Sequence, residues 1–143
     1  MTACQRWTDR IQSWRRPEDG GFDPSRYGAA EIGEASAKRF VTGHHYSGTY
    51  PAASRRYCLF DLTDGELVGT AVLSVPARRE VLTAVFPGLE PYAESAELGR
   101  FVLLDEVPAN GESWFWAECR RLAATDGVRG VVAFSDPVRR TRA

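Results

Sequence analysis

Two adjacent histidines and a tyrosine form the segment of this chain that is best equipped for chemistry. His44 and His45 are its only histidines, and Tyr46 follows them directly. Adjacent side chains point in different directions, so the two histidines would rarely ligate one metal ion together, but one of them could join distant ligands. Tyr46 could serve as an acid or base, ligate a metal ion or stack on a nucleobase. Alternatively, the histidine caps a helix and the tyrosine anchors a loop.

An arginine and an aspartate accompany two apolar segments that are short enough to be buried strands. Arg100 interrupts residues 98–104, and Asp136 follows residues 130–134. The arginine either faces solvent or presents an inward guanidinium to an anion or a carbonyl group. Ligands gather outside the carboxyl ends of strands in open α/β sheets, which makes Asp136 the best partner for a histidine. The alternative is an ordinary turn aspartate before Pro137.

A helix predicted over residues 112–125 connects these two strands. Asn110 is a suitable N-cap, and an apolar stripe follows it. Two apolar strands joined by a crossover helix predict a parallel pair that is covered on both faces. Ser113, with Asn110 and Gly111 before it, could meet the phosphate of a cofactor at the helix N-terminus. The acidic residues at 105–106 would repel such a phosphate.

The preceding part of the chain predicts one helix and an antiparallel hairpin. The helix covers residues 29–42, and the hairpin pairs residues 57–62 with residues 67–75 through a two-residue turn at Asp64-Gly65. Residues 81–86 predict a further strand. Helices on a mixed sheet make the fold class α+β.

The N-terminal residues are polar, and their aromatic spacing predicts a short helix. Trp7, Ile11 and Trp14 would share one face of it. We divide the chain into a polar N-terminal extension (1–21), a folded domain (22–138) and a basic tail (139–143).

The composition argues against some classes of function but does not identify one. The chain has 143 residues, enough for one domain, and a formal charge of −1, which provides no global attraction to nucleic acid. Its three cysteines match no zinc or redox spacing, which predicts reduced thiols in a cytoplasmic protein. No apolar run approaches the roughly 20 residues that span a bilayer, so no membrane partner is expected.

Six motifs together resemble the Mom family of phage DNA-modification proteins. They are FDPSRY (22–27), HHYSG (44–48), LVGTAVLSVP (67–76), ELGRFVLLDEVP (97–108), ESWF (112–115) and GVVAFSDP (130–137). The resemblance implies a fold like that of the GNAT acyltransferases, with an acyl-donor cleft where two parallel strands splay. It also implies transfer of a methylcarbamoyl group to the exocyclic amine of adenine in double-stranded DNA, as a defence against restriction.

The same resemblance assigns roles to individual residues. The functional histidine–tyrosine pair corresponds to His45 and Tyr46, the strand arginine to Arg100 and the aspartate to Asp136. The family is associated with iron, which makes His45, Tyr46 and Asp136 the candidate metal ligands. An acyl-CoA-type donor would use Asn110, Gly111 and Ser113, although the glycine-rich loop expected for acetyl-CoA is missing from this segment.

The resemblance also predicts a C-terminal truncation. Family members continue through further strands after FSDP, and one of those strands carries a tyrosine of the site, whereas this chain ends at Ala143. We therefore expect a GNAT-like mixed sheet that lacks its last strands. Two other functions remain open: a GNAT-like N-acyltransferase acting on a small amine, and a non-catalytic remnant that binds DNA or a partner.

Overall fold

A computed structural model of the protein describes residues 4–16, 18 and 20–134. The described strands form a two-stranded hairpin and a five-stranded sheet. The hairpin contains β1 (Cys4–Thr8) and β2 (Ile11–Arg15); the sheet contains β3 (Tyr27–Glu31), β4 (Ala53–Asp61), β5 (Leu67–Ser74), β6 (Ser95–Leu103) and β7 (Gly130–Ala133). Three α-helices, α1 (Glu34–His44), α2 (Glu80–Thr83) and α3 (Gly111–Thr125), and a short 3-10 helix at Pro24–Arg26 accompany these strands. This arrangement confirms the predicted α+β class.

The sheet follows chain order, β3-β4-β5-β6-β7, and only its last pair is parallel. Strands β3 to β6 are antiparallel neighbours. A short connection joins β4 to β5, whereas α1 lies between β3 and β4 and α2 between β5 and β6. Strand β7 lies parallel to β6 because α3 carries the chain back along the sheet between them. The predicted strand–helix–strand unit is therefore confirmed. The register ends at Leu98 and Ala133, where β7 itself ends, whereas β6 continues to Leu103.

The predicted N-cap of α3 has the right position but a different geometry. Asn110 precedes the helix with φ 75°, in the left-handed region, and its side chain makes no capping hydrogen bond. Asparagine tolerates this backbone conformation better than most residues, because its short polar side chain can bond locally. Asn110 therefore provides the backbone turn that leads into α3, and its side chain does not cap the first N–H groups of the helix.

The two faces of the sheet are covered by different elements. On one face, Phe115 and Cys119 of α3 join the main core with Tyr57, Leu59 and others. On the opposite face, Trp7 of β1 and Phe40 of α1 pack around Val102. Side chains alternate along β6, so Phe101 and Leu103 meet α3 while Val102 meets α1 and the hairpin.

The short helix expected for Trp7, Ile11 and Trp14 is wrong, because these residues belong to β1 and β2. The hairpin pairs Thr8 with Ile11 around a two-residue turn at Asp9 and Arg10. Both turn residues have positive φ, 50° and 68°, as the twist of a tight hairpin requires. The three residues are spaced four and three positions apart, as on one face of a helix. The turn between Trp7 and Ile11 instead reverses the chain and pairs the two segments as strands.

Three other predicted boundaries need correction. Residues 29–42 are not one helix, because Tyr27–Glu31 pairs with β4 and α1 begins only at Glu34. Residues 81–86 contain part of α2 rather than a strand, because amides in this segment bond to carbonyl oxygens four positions earlier, Ala84 to Glu80 at 3.0 Å and Phe86 to Leu82 at 2.9 Å. The β4–β5 hairpin is confirmed, although residues 62–66 connect its strands instead of two residues alone.

Among the described residues, no helix combines the length and the apolar character that a membrane crossing requires.

Candidate functional site

A cavity of about 330 Å³ lies at the end of the β6–β7 pairing. The loop after α1 contributes Tyr46 and Pro51 to its wall, and β5 contributes Ser74. Strand β6 supplies four consecutive lining residues, Glu97, Leu98, Gly99 and Arg100, and Phe134 follows β7. Two predicted site residues, Tyr46 and Arg100, therefore border the same cavity. Asp136 lies outside the described residues, two positions after Phe134.

Arg100 attaches the loop after α1 to the sheet. Its Nη2 donates to Thr49 Oγ1 at 2.8 Å, its Nε to the Thr49 carbonyl oxygen at 3.3 Å, and its Nη1 to the Gly99 carbonyl oxygen at 2.7 Å. All three acceptors are neutral. The ion pairs found among the described residues do not include Arg100, so these bonds orient its guanidinium without neutralising it.

Trp7 of the hairpin packs against the rings of Tyr46 and His45. The ring centroids of Trp7 and Tyr46 are 5.0 Å apart, and those of His45 and Tyr46 are 4.3 Å apart. His45 is 9% exposed and Trp7 is 7% exposed. The pair predicted from the sequence therefore rests on an aromatic side chain that its motif does not contain.

The polar contacts of His45 fix its ring orientation. Its backbone N–H donates to the Val41 carbonyl oxygen at 2.8 Å and closes α1. Its Nδ1 accepts the Ser47 N–H at 3.2 Å and lies 2.8 Å from Ser47 Oγ. Both contacts hold the Nδ1 side of the ring against Ser47, whichever tautomer is present.

Within residues 4–134, apart from 17 and 19, no three histidine, cysteine or acidic side chains form a group able to hold a metal ion. Asp136, the third predicted ligand, is outside the described residues, so the set His45, Tyr46 and Asp136 stays a prediction.

A second cavity, of about 300 Å³, lies between α3 and the end of the β6–β7 pairing. Its lining contains Leu98, Phe101, Glu112, Ser113, Trp116 and Ala133, which is mostly apolar. Of the three predicted cofactor-binding residues, only Ser113 borders it. Ser113 Oγ donates to the Asn110 carbonyl oxygen at 3.2 Å, and Gly111 is buried against Val107 and Phe22.

Arg6 anchors the hairpin next to this second cavity. It is 0% exposed and forms an ion pair with Glu112 in the first turn of α3. Its guanidinium also donates to the carbonyl oxygens of Val107 at 3.2 Å and Pro108 at 2.9 Å. The positive end of the α3 dipole is thus already partnered by the Glu112 carboxylate.

Sequence patterns missed several residues of the first cavity. Glu97 places a carboxylate on its wall, 3.3 Å from Ser74 Oγ. Gly99 permits close approach of the strands, since a Cβ at this position would overlap Ser74 Oγ and lie 3.1 Å from Pro51 Cγ. Glu97 and Gly99 both belong to the ELGR motif, which could have suggested them, whereas no short-range signal connects Trp7 with Tyr46.

Comparison with known proteins gives one family. The sequence model described as the Mom protein family matches residues 26–141, which is most of the chain and includes every residue of the first cavity. The hairpin lies before the matched segment. No curated protein matches the chain.

Proposed function

The chain belongs to the Mom protein family, and from this membership we propose that it modifies DNA by transferring a methylcarbamoyl group to the exocyclic amine of adenine. The family supports DNA modification as the general activity. The methylcarbamoyl group, the adenine target and a GNAT-like arrangement of the donor are the more specific parts of the proposal.

One observation carries it: an aromatic ring, a carboxylate and a guanidinium border the same cavity. Tyr46, Glu97 and Arg100 provide these groups, and the cavity volume of about 330 Å³ can accommodate a purine. Adenine presents a flat face, an amine that donates hydrogen bonds and ring nitrogens that accept them. The three side chains offer a stacking surface, an acceptor and a donor for these features.

A base inside a duplex cannot reach this cavity, so the target adenine must leave the helical stack. The amine nitrogen then attacks the carbonyl carbon of an activated donor. A carbon–nitrogen bond forms, the leaving group of the donor departs with the bonding electron pair, and the amine loses one proton. We assign Glu97 as the acceptor of this proton. Arg100 would stabilise the negative charge that develops on the carbonyl oxygen.

Arg100 tests the proposal directly. We expect Arg100→Ala to reduce adenine modification by about 10²–10³-fold, the usual loss when one donor to a developing oxyanion is removed. DNA from cells that express the full chain would be digested to nucleosides, and modified adenine quantified by mass spectrometry. Arg121→Ala is the matched control, because Arg121 is exposed on α3 and pairs with Glu118.

The outcomes distinguish a catalytic role of Arg100 from a structural one. Arg100→Lys keeps the charge but loses the forked contact with Thr49, so it should retain part of the activity if charge matters most. Equal modification by wild type, Arg100→Ala and the control would contradict the assigned role. A wild-type chain that leaves adenine unmodified would contradict the proposed reaction itself.

The apolar cavity beside α3 favours a second candidate, an N-acyltransferase acting on a small amine. Phe101 and Trp116 border this cavity and could hold the apolar part of an acyl donor. The two functions differ in the acceptor. Acyl transfer to free small amines, without modification of DNA, would favour this candidate. DNA binding without any transfer would favour a non-catalytic DNA-binding protein.

A further inference from the structure

The tip of the β1–β2 hairpin lies against the loop that carries His45 and Tyr46. The Arg10 N–H donates to the His44 carbonyl oxygen at 2.9 Å, and the Asp9 N–H donates to His44 Nδ1 at 3.0 Å. The Arg10 guanidinium covers Gly48, where a Cβ would lie only 2.8 Å from Arg10 Cζ. The tip therefore packs against the loop whose Tyr46 lines the first cavity, although it lies outside the segment that the family model matches.

The hairpin is firmly attached behind this tip. Arg6 provides the buried anchor to Glu112. Ser13 Oγ donates to Asp105 Oδ1 at 2.7 Å, and the Asp105 N–H donates to Thr8 Oγ1 at 3.1 Å. These contacts attach both strands to the loop after β6 and hold the tip in its place against the loop after α1.

The residues at the tip do not favour the fold. Arg10 has φ 68°, a conformation that costs most non-glycine residues about 1–2 kcal/mol. Asn-Gly or Asp-Gly would suit this turn better. Next to it, Ile11 is 70% exposed and gains little from burial. The ion pairs among the described residues do not include Arg10, and the Asp9 carboxylate lies 3.9 Å from His44 Nδ1.

These features point to a partner that an apolar side chain and an adjacent cation would recognise. We propose that the hairpin tip contacts duplex DNA: Ile11 enters the base stack where the target adenine has left it, and Arg10 binds a neighbouring phosphate. This inference rests on the proposed function, because an enzyme that acts on an adenine amine in duplex DNA must extrude the base. Apolar wedges such as isoleucine occupy unstacked base steps in other DNA-binding proteins.

Arg10→Gly separates binding from folding, because glycine suits the positive φ of this turn. We expect this variant to unfold at the same urea concentration as wild type, or at a higher one. Its affinity for a fluorescein-labelled synthetic duplex, measured by anisotropy over a series of salt concentrations, should fall. Loss of one phosphate contact should reduce the slope of log K against log[salt] by about 0.9.

Ile11→Ala tests the wedge with a different signal. A duplex with 2-aminopurine at the target position becomes more fluorescent when this base unstacks, and 2-aminopurine lacks the amine at position 6, so no reaction follows. We expect Ile11→Ala to lose most of the fluorescence increase at saturating protein, while its salt slope matches wild type. Leu62→Ala is the matched control, since Leu62 is 56% exposed in the β4–β5 turn.

The two proposals fail in different ways. If wild type modifies adenine while both tip variants bind and unstack the duplex as wild type does, the wedge is wrong and the proposed function stands. If wild type neither binds the duplex nor modifies adenine, both are wrong. A lower unfolding midpoint for Arg10→Gly would show that the arginine serves the fold, and would also overturn the inference.

Discussion

Replacing Arg6 by methionine should cost about 3 kcal/mol of the free energy of unfolding. Arg6 is completely buried and donates five hydrogen bonds: to Gln5, Val107 and Pro108 carbonyl oxygens and to both Glu112 carboxylate oxygens. Removing one partner of a buried ion pair costs about 3–5 kcal/mol. The lower end applies here, because the Glu112 side chain is 31% exposed and can recover water.

The loss should appear as a shift of the urea midpoint. With an m-value of about 2 kcal/mol per molar urea, about 3 kcal/mol lowers the midpoint by roughly 1.5 M. Tryptophan fluorescence is a suitable probe, since Trp7 packs on Tyr46 and should become solvated when the hairpin detaches. The same variant should therefore also lose DNA modification, although Arg6 does not border the first cavity.

A double-mutant cycle distinguishes the ion pair from general packing. Glu112→Gln keeps a hydrogen-bond acceptor for Arg6 and should cost less than Arg6→Met. The double variant should be less destabilised than the sum of the two single variants, with a coupling of about 1–3 kcal/mol. A loss below about 1 kcal/mol for Arg6→Met, or strictly additive effects, would refute the view that this pair anchors the hairpin.

Three further predictions concern the cavity, the core and the thiols. Gly99→Ala should abolish adenine modification in the mass-spectrometric assay and cost about 1–3 kcal/mol in urea unfolding, because the new Cβ overlaps Ser74 Oγ; full activity would contradict the assigned cavity. Burial raises the pKa of Tyr57 from 10.0 to about 12. Below pH 10 the phenol is protonated in both the folded and the unfolded state. As pH rises from there through about 12, the free energy of unfolding falls, because the unfolded state releases this proton first. The Tyr57 hydroxyl is buried without a partner among the described residues, and Tyr57→Phe should therefore be as stable as wild type at neutral pH and less sensitive to alkali in urea titrations; a clear loss at neutral pH would count against this. Burial raises the pKa of the Cys58 and Cys119 thiols, so iodoacetamide should alkylate them only on unfolding, as peptide mapping can test.

The sequence predicted the β6–α3–β7 unit because its signals are local and agree with one another. An apolar strand, a loop with Pro108 and an apolar stripe along the helix all favour the same structure. The N-terminal hairpin was mispredicted because its two tryptophans match a helical spacing, while the turn at Asp9 and Arg10 lacks the glycine that usually marks such turns.

For the candidate site, too, the sequence predicted what short motifs contain and missed a contact between residues that are far apart in the chain. Tyr46 and Arg100 were identified from the motifs, and both border one cavity. Trp7 could not be identified in this way, because its contact with Tyr46 depends on how the hairpin packs across the sheet. Asp136 is outside the described residues, and its role remains a prediction.

The anchor of the hairpin also has a consequence for the order of folding. Strands β3 to β6 pair with their neighbours along the chain, whereas Arg6 bonds to Val107, which is 101 positions away. During synthesis the hairpin emerges first, yet its partners emerge only with α3. We therefore expect the sheet to form before the hairpin tip packs against the loop after α1. In pulsed hydrogen exchange, the Arg10 amide that bonds to His44 should become protected after the amides between β4 and β5. A nascent chain would then acquire the surface proposed to bind DNA only as one of the last steps of its folding.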